Sequence, residues 1–265
     1  MTHLSLQYRG GDQFPTLSAF VLIVAPLVLV VALVGCATAP PYNPFDTSKE
    51  QFHAKVKRVA LTPLTVPREL GISESAKLRF DSLIEAKLQE AGFTTFPAKS
   101  WGEVFARVEQ EVGGVIDLRT GKLDETKLQT AWTRTVDEIH TKFQFDAVLL
   151  PAVVIVEADL TSPDWSKQFS SEAVTSQLGA AFFGAPTTMP ALSLVVTIGG
   201  RDPKEPAQYK HRAGIQLLKT PVPVTERFSG KSLEPVPVPR GKLLTNDERN
   251  RAAVEIALGP LVKKL

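Results

Sequence analysis

The sequence predicts an α/β fold with a mixed sheet, in which a β-α-β-α-α-β start is followed by an antiparallel hairpin and a C-terminal helix. Two observations lead to this prediction. In the first half of the 265-residue chain, short apolar runs alternate with apolar stripes at helical spacing. In the second half, two strand-like runs flank a turn that contains glycine and proline. The first pattern favours a partly parallel sheet, and the second favours an antiparallel hairpin.

Three strands are predicted in the first half of the chain. They are Val56–Leu64, Phe93–Phe96 and Asp146–Val156, and the last gives the strongest signal because its apolar run is the longest. Consecutive apolar residues are typical of strands that are buried on both faces. We therefore expect the third strand to lie in the middle of the sheet.

Three helices are predicted between these strands. Ser73 is the expected N-cap of the first helix, and Gly92 ends it. Ser100-Trp-Gly-Glu103 has the pattern of a capping box that opens the second helix, and Asp124 starts the third. Each helix carries an apolar stripe at helical spacing, so each is expected to pack one face on the sheet.

The second half of the chain predicts the hairpin and the final helix. Ala191–Ile198 and Gln208–Leu218 are its two strands, joined by a turn at 199–203. The Pro-rich stretch from Thr220 to Lys242 predicts stiff surface loops, or extended segments that dock in an aromatic groove. Thr245-Asn-Asp-Glu248 is a second capping box and opens the last helix.

The beginning of the chain has the layout of an export signal. A polar stretch from Met1 to Phe14 is followed by an apolar run from Leu17 to Val34, which leads into Gly35 and Cys36. The string Leu-Val-Gly-Cys resembles the lipobox of bacterial lipoproteins, in which the cysteine thiol takes up a diacylglycerol. The alternative is a single transmembrane helix, although the run is at the short end for crossing ~30 Å of hydrocarbon. Cys36 is the only cysteine and so forms no internal disulfide.

The sequence therefore predicts three segments. Residues 1–35 are a lipoprotein signal peptide, residues 36–52 are the lipidated cysteine and a tether, and residues 53–265 form a single α/β periplasmic domain. The formal net charge of +2 is small, and the lysines and arginines are spread along the chain. This distribution gives no electrostatic footprint for a nucleic-acid partner.

The lipobox, the β-α-β start, the long hairpin and the amphipathic final helix together resemble a group of small periplasmic lipoproteins. The group includes the curli-secretion lipoprotein, the penicillin-binding-protein activator lipoproteins and families of unknown function. Two local strings add to the resemblance, Arg58-Val-Ala-Leu-Thr-Pro-Leu64 and Phe145-Asp-Ala-Val-Leu-Leu-Pro151. The resemblance covers about Val56 to Leu265. In this class of lipoproteins, an aspartate directly after the lipidated cysteine favours the inner membrane. Ala37 stands at that position here, which implies the periplasmic face of the outer membrane. The inner membrane is the alternative.

The chemistry of an enzyme site is not predicted by the sequence. The histidines have no metal-ligand spacing, and neither a nucleophile elbow nor a phosphate loop is present. Glu157 and Asp159 follow the strongest strand and share a face, with Asp164 close behind. They are candidates for a cation site or for acid–base work, and the plainer interpretation is a solvated strand end. We expect no cofactor and no metal.

A partner-binding surface is predicted between the third strand and the hairpin. Trp165, Phe182 and Phe183 could form an exposed apolar patch for a partner, or they could cover the end of the sheet. Phe182 and Phe183 belong to the segment from Val174 to Met189, which is also the candidate for a membrane-inserting hairpin of the kind that the curli-type proteins use. Covering the end of the sheet is the plainer interpretation, and the patch is the hypothesis for a partner surface.

These observations predict a binding or assembly accessory subunit of a cell-envelope system, in secretion or in wall synthesis, with the membrane reached through the lipid on Cys36. Its protein partner is not named by the sequence. One alternative is a small-ligand binder or hydrolase that uses the carboxylates after the strand at 146–156. The other is a homo-oligomeric secretion channel subunit.

Overall fold

One mixed sheet of five strands organises the protein, as described by a computed structural model. The structure describes residues 42–169, 186–202, 205–220 and 235–262, together with Thr175, Leu178, Gly179 and Ala181. The strands run in the order β2-β1-β3-β4-β5 and are β1 (Arg58–Leu61), β2 (Thr94–Phe96), β3 (Ala147–Asp159), β4 (Thr188–Gly199) and β5 (Tyr209–Leu217).

The sheet is parallel on one side and antiparallel on the other. β1 pairs in parallel with both β2 and β3, and β4 pairs antiparallel with β3 and β5. The parallel pairs are linked by helical crossovers, as parallel strands require, and β4 and β5 form the hairpin. The predicted α/β fold with a mixed sheet is therefore confirmed, including its β-α-β-α-α-β start and its C-terminal helix.

Six helices are defined in the described part of the chain. They are α1 (Lys49–Lys55), α2 (Glu74–Glu90), α3 (Ala98–Glu111), α4 (Glu125–Phe143), α5 (Pro163–Ser166) and α6 (Asp247–Leu258). Short 3-10 turns lie at Arg68–Leu70, Arg240–Lys242 and Gly259–Leu261, and β6 (Lys219–Thr220) pairs with β7 (Val236–Pro237) as a separate two-stranded sheet. None of the described helices is both long enough and apolar enough to cross a membrane.

The predicted helix starts are right where a polar cap meets a clear apolar stripe. The side chain of Ser73 accepts a hydrogen bond from the Ala76 N–H, and that of Asp124 accepts one from the Lys127 N–H. The predicted start at Ser100 is wrong, because α3 begins at Ala98, directly after Pro97. Proline has no N–H to satisfy and fixes φ near the helical value, so it precedes a helix without a capping side chain.

Helices cover both faces of the sheet. α2 and α6 pack on the face that carries Leu61, Leu149 and Leu194, and α3 and α4 pack on the face that carries Ala60 and Val148. A buried hydrogen bond reinforces the first layer, because the Tyr209 hydroxyl donates to the Ala257 carbonyl at 2.5 Å and so joins β5 to α6. The strongest predicted strand, β3, lies in the middle of the sheet as expected.

The folded unit begins earlier than the sequence predicts. It starts at Asn43, whereas the prediction places residues 36–52 in a tether and starts the domain at His53. Phe45 and Phe52 are both buried, and their ring centroids lie 5.5 Å apart in an edge-to-face contact. The two phenylalanines lie among prolines and polar residues, and that composition predicts a tether. Residues 43–52 belong to the folded unit, and Phe45 and Phe52 are part of its core.

Two strands are longer than predicted. β3 continues past Val156 to Asp159, and β4 already begins at Thr188, ahead of the predicted Ala191. The two extensions pair with each other, since Asp159 lies opposite Thr188 in the antiparallel register. The backbone N–H and C=O groups of each extension are paired with those of the other strand. Polar residues can therefore occupy the end of this strand pair.

Candidate functional site

The predicted lipidation and partner residues are only partly covered by the structure. Cys36, Phe182 and Phe183 lie outside the described residues, so the predictions for them stay predictions. The segment from Val174 to Met189 is described at its end, where β4 begins, and at four isolated positions that precede Phe182.

Trp165 packs in the interior. Its side chain is buried, its ring stacks on Phe169 with centroids 5.9 Å apart, and the Arg212 guanidinium lies 4.7 Å from the ring centroid. The two rings cover the end of the sheet in a small cluster with Ala158, Leu160, Met189, Ala191 and Leu217. The structure therefore gives Trp165 the packing role, which is the plainer interpretation of the sequence.

The predicted carboxylates do not form a cluster that holds a metal. Glu157 and Asp159 are both exposed on one face of β3, as their spacing predicts. Asp159 accepts hydrogen bonds from the hydroxyl and the N–H of Thr161, at 2.7 and 3.0 Å, and these bonds lower the pKa of its carboxyl. Asp164 lies in the first turn of α5. Over the described ranges, no three His, Cys, Asp or Glu side chains come together as a metal site.

A groove lies at the outer edge of the sheet among the described residues. Its volume is about 310 Å³, and it lies where β5 ends, beside the two-stranded sheet and the start of α6. We call it the β5 groove. The residues that line it are Phe169, Ile215, Gln216, Leu217, Lys219, Thr220, Val238, Lys242, Thr245, Asn246 and Arg249.

The β5 groove is positively charged. Lys219, Lys242 and Arg249 line it, and its described lining contains no aspartate or glutamate. None of these three cations makes an ion pair within the described part of the chain. Asn246, the N-cap of α6, also lines the groove, so the positive end of the helix dipole adds to the field of the side chains.

Gln216 supplies a buried donor at the wall of the groove. The residue is only 7% exposed, and its Oε1 accepts a hydrogen bond from the Leu244 N–H at 3.1 Å. This contact fixes the orientation of the amide, because a backbone N–H must face the oxygen. The Nε2 group makes no hydrogen bond to any residue that the structure describes, and it keeps some contact with solvent. Gln216 is one of the residues that line the groove, so its amide lies at the groove wall.

The backbone beside the groove is strained at Leu244. This buried residue has φ of 56°, a left-handed conformation that L-residues other than asparagine and aspartate seldom adopt. Two buried amides hold it from both sides, since Gln216 accepts from its N–H and the Asn250 Nδ2 donates to its carbonyl at 2.9 Å. The strain is of the order of 1–2 kcal/mol. It sets the path of the chain into Thr245 and Asn246, which line the groove.

Asp81 is the most strongly perturbed carboxyl of the described residues. It lies buried on α2, and it accepts a hydrogen bond from the Leu64 N–H at 2.9 Å, which anchors the loop after β1. Burial raises the pKa of Asp81 from 3.8 to about 6, against the opposing effects of the Leu64 N–H and the charge of Lys77. Its place under that loop makes it a structural group.

The Asp81→Asn variant is expected to flatten the pH dependence of stability. Because the folded-state pKa is raised, the folded protein binds the proton more tightly than the unfolded chain, and stability falls as the pH rises from about 4 to about 6. Solvent screening reduces the effect, which is at most about 3 kcal/mol. Asparagine is neutral and keeps an acceptor for Leu64, so the variant should gain stability relative to the parent as the pH rises through this window.

Urea unfolding of the parent and the variant at pH 4.5 and pH 7.5 measures this difference. Asp137→Asn is the matched control, since Asp137 is an exposed aspartate in the middle of α4. Equal pH profiles for Asp81→Asn and the parent would show that Asp81 does not contribute to the pH dependence.

The β5 groove was not found from the sequence. Its lining comes from three separate stretches of the chain, around Phe169, from Ile215 to Thr220 and from Val238 to Arg249, and no stretch carries a known motif. The capping box at 245–248 is the single local signal. It predicts where the last helix starts, but it does not predict which other residues lie beside that start. Only the fold brings the cations together.

Comparison of the chain with protein-family models, with curated proteins and with solved structures finds no match.

Proposed function

We propose that the protein is a lipoprotein anchored through a lipid on Cys36 and facing the periplasm, with the outer membrane as its expected location. It acts there as a binding or assembly accessory subunit of a cell-envelope system, in secretion or in wall synthesis. The observation that carries the proposal is the string Leu33-Val34-Gly35-Cys36 at the end of an apolar run. The resemblance to small periplasmic lipoproteins points to the same kind of role.

The position of the folded unit agrees with a short anchor. Since the unit begins at Asn43, the linker after Cys36 is even shorter than the sequence suggested. Six residues, 37–42, lie between Cys36 and Asn43, and the seven steps that join the two reach at most ~25 Å when fully extended. A linker of this length keeps the domain at its own membrane, so its partners are expected to lie at the same membrane surface.

The β5 groove supports a role in binding. It combines cationic side chains with an apolar lining of Phe169, Ile215 and Leu217, which is the composition of a recognition site. In this proposal the protein works by holding a partner or ligand and performs no catalysis.

The Cys36→Ser variant is expected to abolish anchoring. Serine has no thiol to accept the diacylglycerol, so the variant should remain an unprocessed precursor that takes up no labelled palmitate. Ala37→Ser is the matched control, because it makes the neighbouring residue a serine and leaves the lipobox string intact. Metabolic labelling followed by membrane fractionation separates the two.

Labelling and membrane partition of Cys36→Ser at the level of the control would overturn the proposal. In that event the apolar run from Leu17 to Val34 would act as a membrane span, the alternative that the sequence left open.

A further inference from the structure

We infer that the β5 groove is a binding site for a phosphate monoester. The phosphate lies among Lys219, Lys242 and Arg249 and receives a hydrogen bond from the Gln216 amide. The inference goes beyond the proposed function and does not involve Cys36, so the palmitate experiment and the test described below fail independently.

The charge of the groove selects a doubly charged anion. Three cationic side chains line it, and the described lining offers no carboxylate to neutralise them. A phosphate monoester carries a charge of about −1.5 to −2 near neutral pH, whereas a carboxylate carries −1. Phosphate also presents several acceptor oxygens, which lysine, arginine and amide donors can share. The phosphate group is therefore the better match in charge and in acceptor number.

The Gln216 amide is the feature that distinguishes this groove from a patch of surface lysines. More than nine-tenths of the residue is buried, and its oxygen is already engaged by Leu244. The Nε2 group makes no hydrogen bond to the described residues and keeps contact with solvent, so it is a donor that a ligand can engage. An acceptor oxygen of the ligand satisfies it.

The strained Leu244 backbone fits the same account. The buried amides of Gln216 and Asn250 hold this residue in its left-handed conformation. Gln216 also lines the groove, so the bond that holds the strained residue fixes the orientation of an amide at the groove wall. Backbone strain of this kind is concentrated at binding sites, where the surrounding structure maintains it.

The apolar part of the groove lining indicates what the ligand carries besides its phosphate. Phe169, Ile215, Leu217 and Val238 line the same groove as the cations. A ligand with an apolar group next to its phosphate would cover this surface. The shared chemistry is the phosphate monoester, which can come from a phosphorylated lipid or from a small soluble metabolite.

Calorimetric titration of the full chain in a nonionic detergent at pH 7.5 and low salt tests the inference. The probes are hexyl phosphate, hexanoate and inorganic phosphate, so that head group and apolar chain vary separately. We expect hexyl phosphate to bind at least about tenfold more tightly than hexanoate, since charge-assisted hydrogen bonds are stronger and more numerous with phosphate. Added salt should weaken the binding, because the cations at the groove are exposed.

Two variants and one control locate the site. Arg249→Gln removes a cation, and Gln216→Glu replaces the free donor by a negative charge while keeping an acceptor for Leu244. Each should weaken the binding of hexyl phosphate by about tenfold or more. Arg251→Gln, an exposed arginine of the same helix that does not line the groove, should leave it unchanged. If Gln216→Glu fails to fold, Arg249→Gln and its control decide alone.

The comparison with inorganic phosphate identifies the source of the ligand. Tighter binding of hexyl phosphate supports a phosphorylated lipid, and equal binding supports a small soluble phosphate. The inference is overturned if hexyl phosphate does not bind, if hexanoate binds as tightly, or if Arg249→Gln and Arg251→Gln have the same effect.

Discussion

Replacing Phe52 by alanine is expected to lower the free energy of unfolding by about 3–5 kcal/mol. Phe52 is 1% exposed, and its ring lies within 6.2 Å, centroid to centroid, of those of Phe93 and Tyr209. Phe45 lies closer still, at 5.5 Å. Removing the ring leaves a cavity among three other aromatic rings, which cannot all move in to fill it.

Urea unfolding of Phe52→Ala and of Lys55→Ala measures this effect. Lys55 is exposed on the same helix, so its truncation to alanine controls for changes in helix propensity. We expect a change within about 0.5 kcal/mol for the control, as for surface substitutions generally. Similar small changes at both positions would mean that the segment from Asn43 to Phe52 is a tether after all.

The second large effect is expected at the centre of the sheet. Leu149 is fully buried on β3, on the face that α2 and α6 cover, and Leu149→Ala should cost about 2–5 kcal/mol. Ile155 lies on the same face of the same strand but is 43% exposed, so Ile155→Ala is the matched control. The cavity term should vanish there, because water already reaches the side chain.

The ratio of the two unfolding energies tests where the helical layer ends. A cost at Ile155 as large as that at Leu149 would mean that this end of β3 is covered, and a negligible cost at Leu149 would place the strand at the surface.

The elements that could be predicted from the sequence are those that local chemistry determines. β3 is an unbroken apolar run, and such a run is buried wherever the chain goes. Ser73 and Asp124 cap helices because each lies three residues ahead of a backbone N–H that needs an acceptor. In both cases the deciding partners lie within one helical turn or one strand.

The features that could not be predicted depend on contacts between distant residues. Phe45 is buried because Tyr209 provides a surface for it, with ring centroids 5.0 Å apart. Leu244 adopts its left-handed backbone because Gln216 and Asn250 hold it there. Tyr209 is far from Phe45 in the sequence. For Leu244, no rule of propensity places a leucine at positive φ.

Trp165 shows the same limit at the candidate site. An aromatic residue in a turn-rich segment fits both an exposed contact and a covered sheet end, and the sequence does not distinguish them. The register of β3 and β4 decides, because it brings Ala158 opposite Met189 and builds an apolar floor on which Trp165 and Phe169 stack.

The central claim, that Cys36 carries the lipid anchor, is tested most directly by the mass of one peptide. Trypsin should release the segment from Cys36 to Lys49 from membrane-extracted protein, because no lysine or arginine lies between them. The account predicts that this peptide begins the mature chain and carries a diacylglycerol on its cysteine. A chain that retains residues 1–35 with an unmodified Cys36 thiol would contradict it.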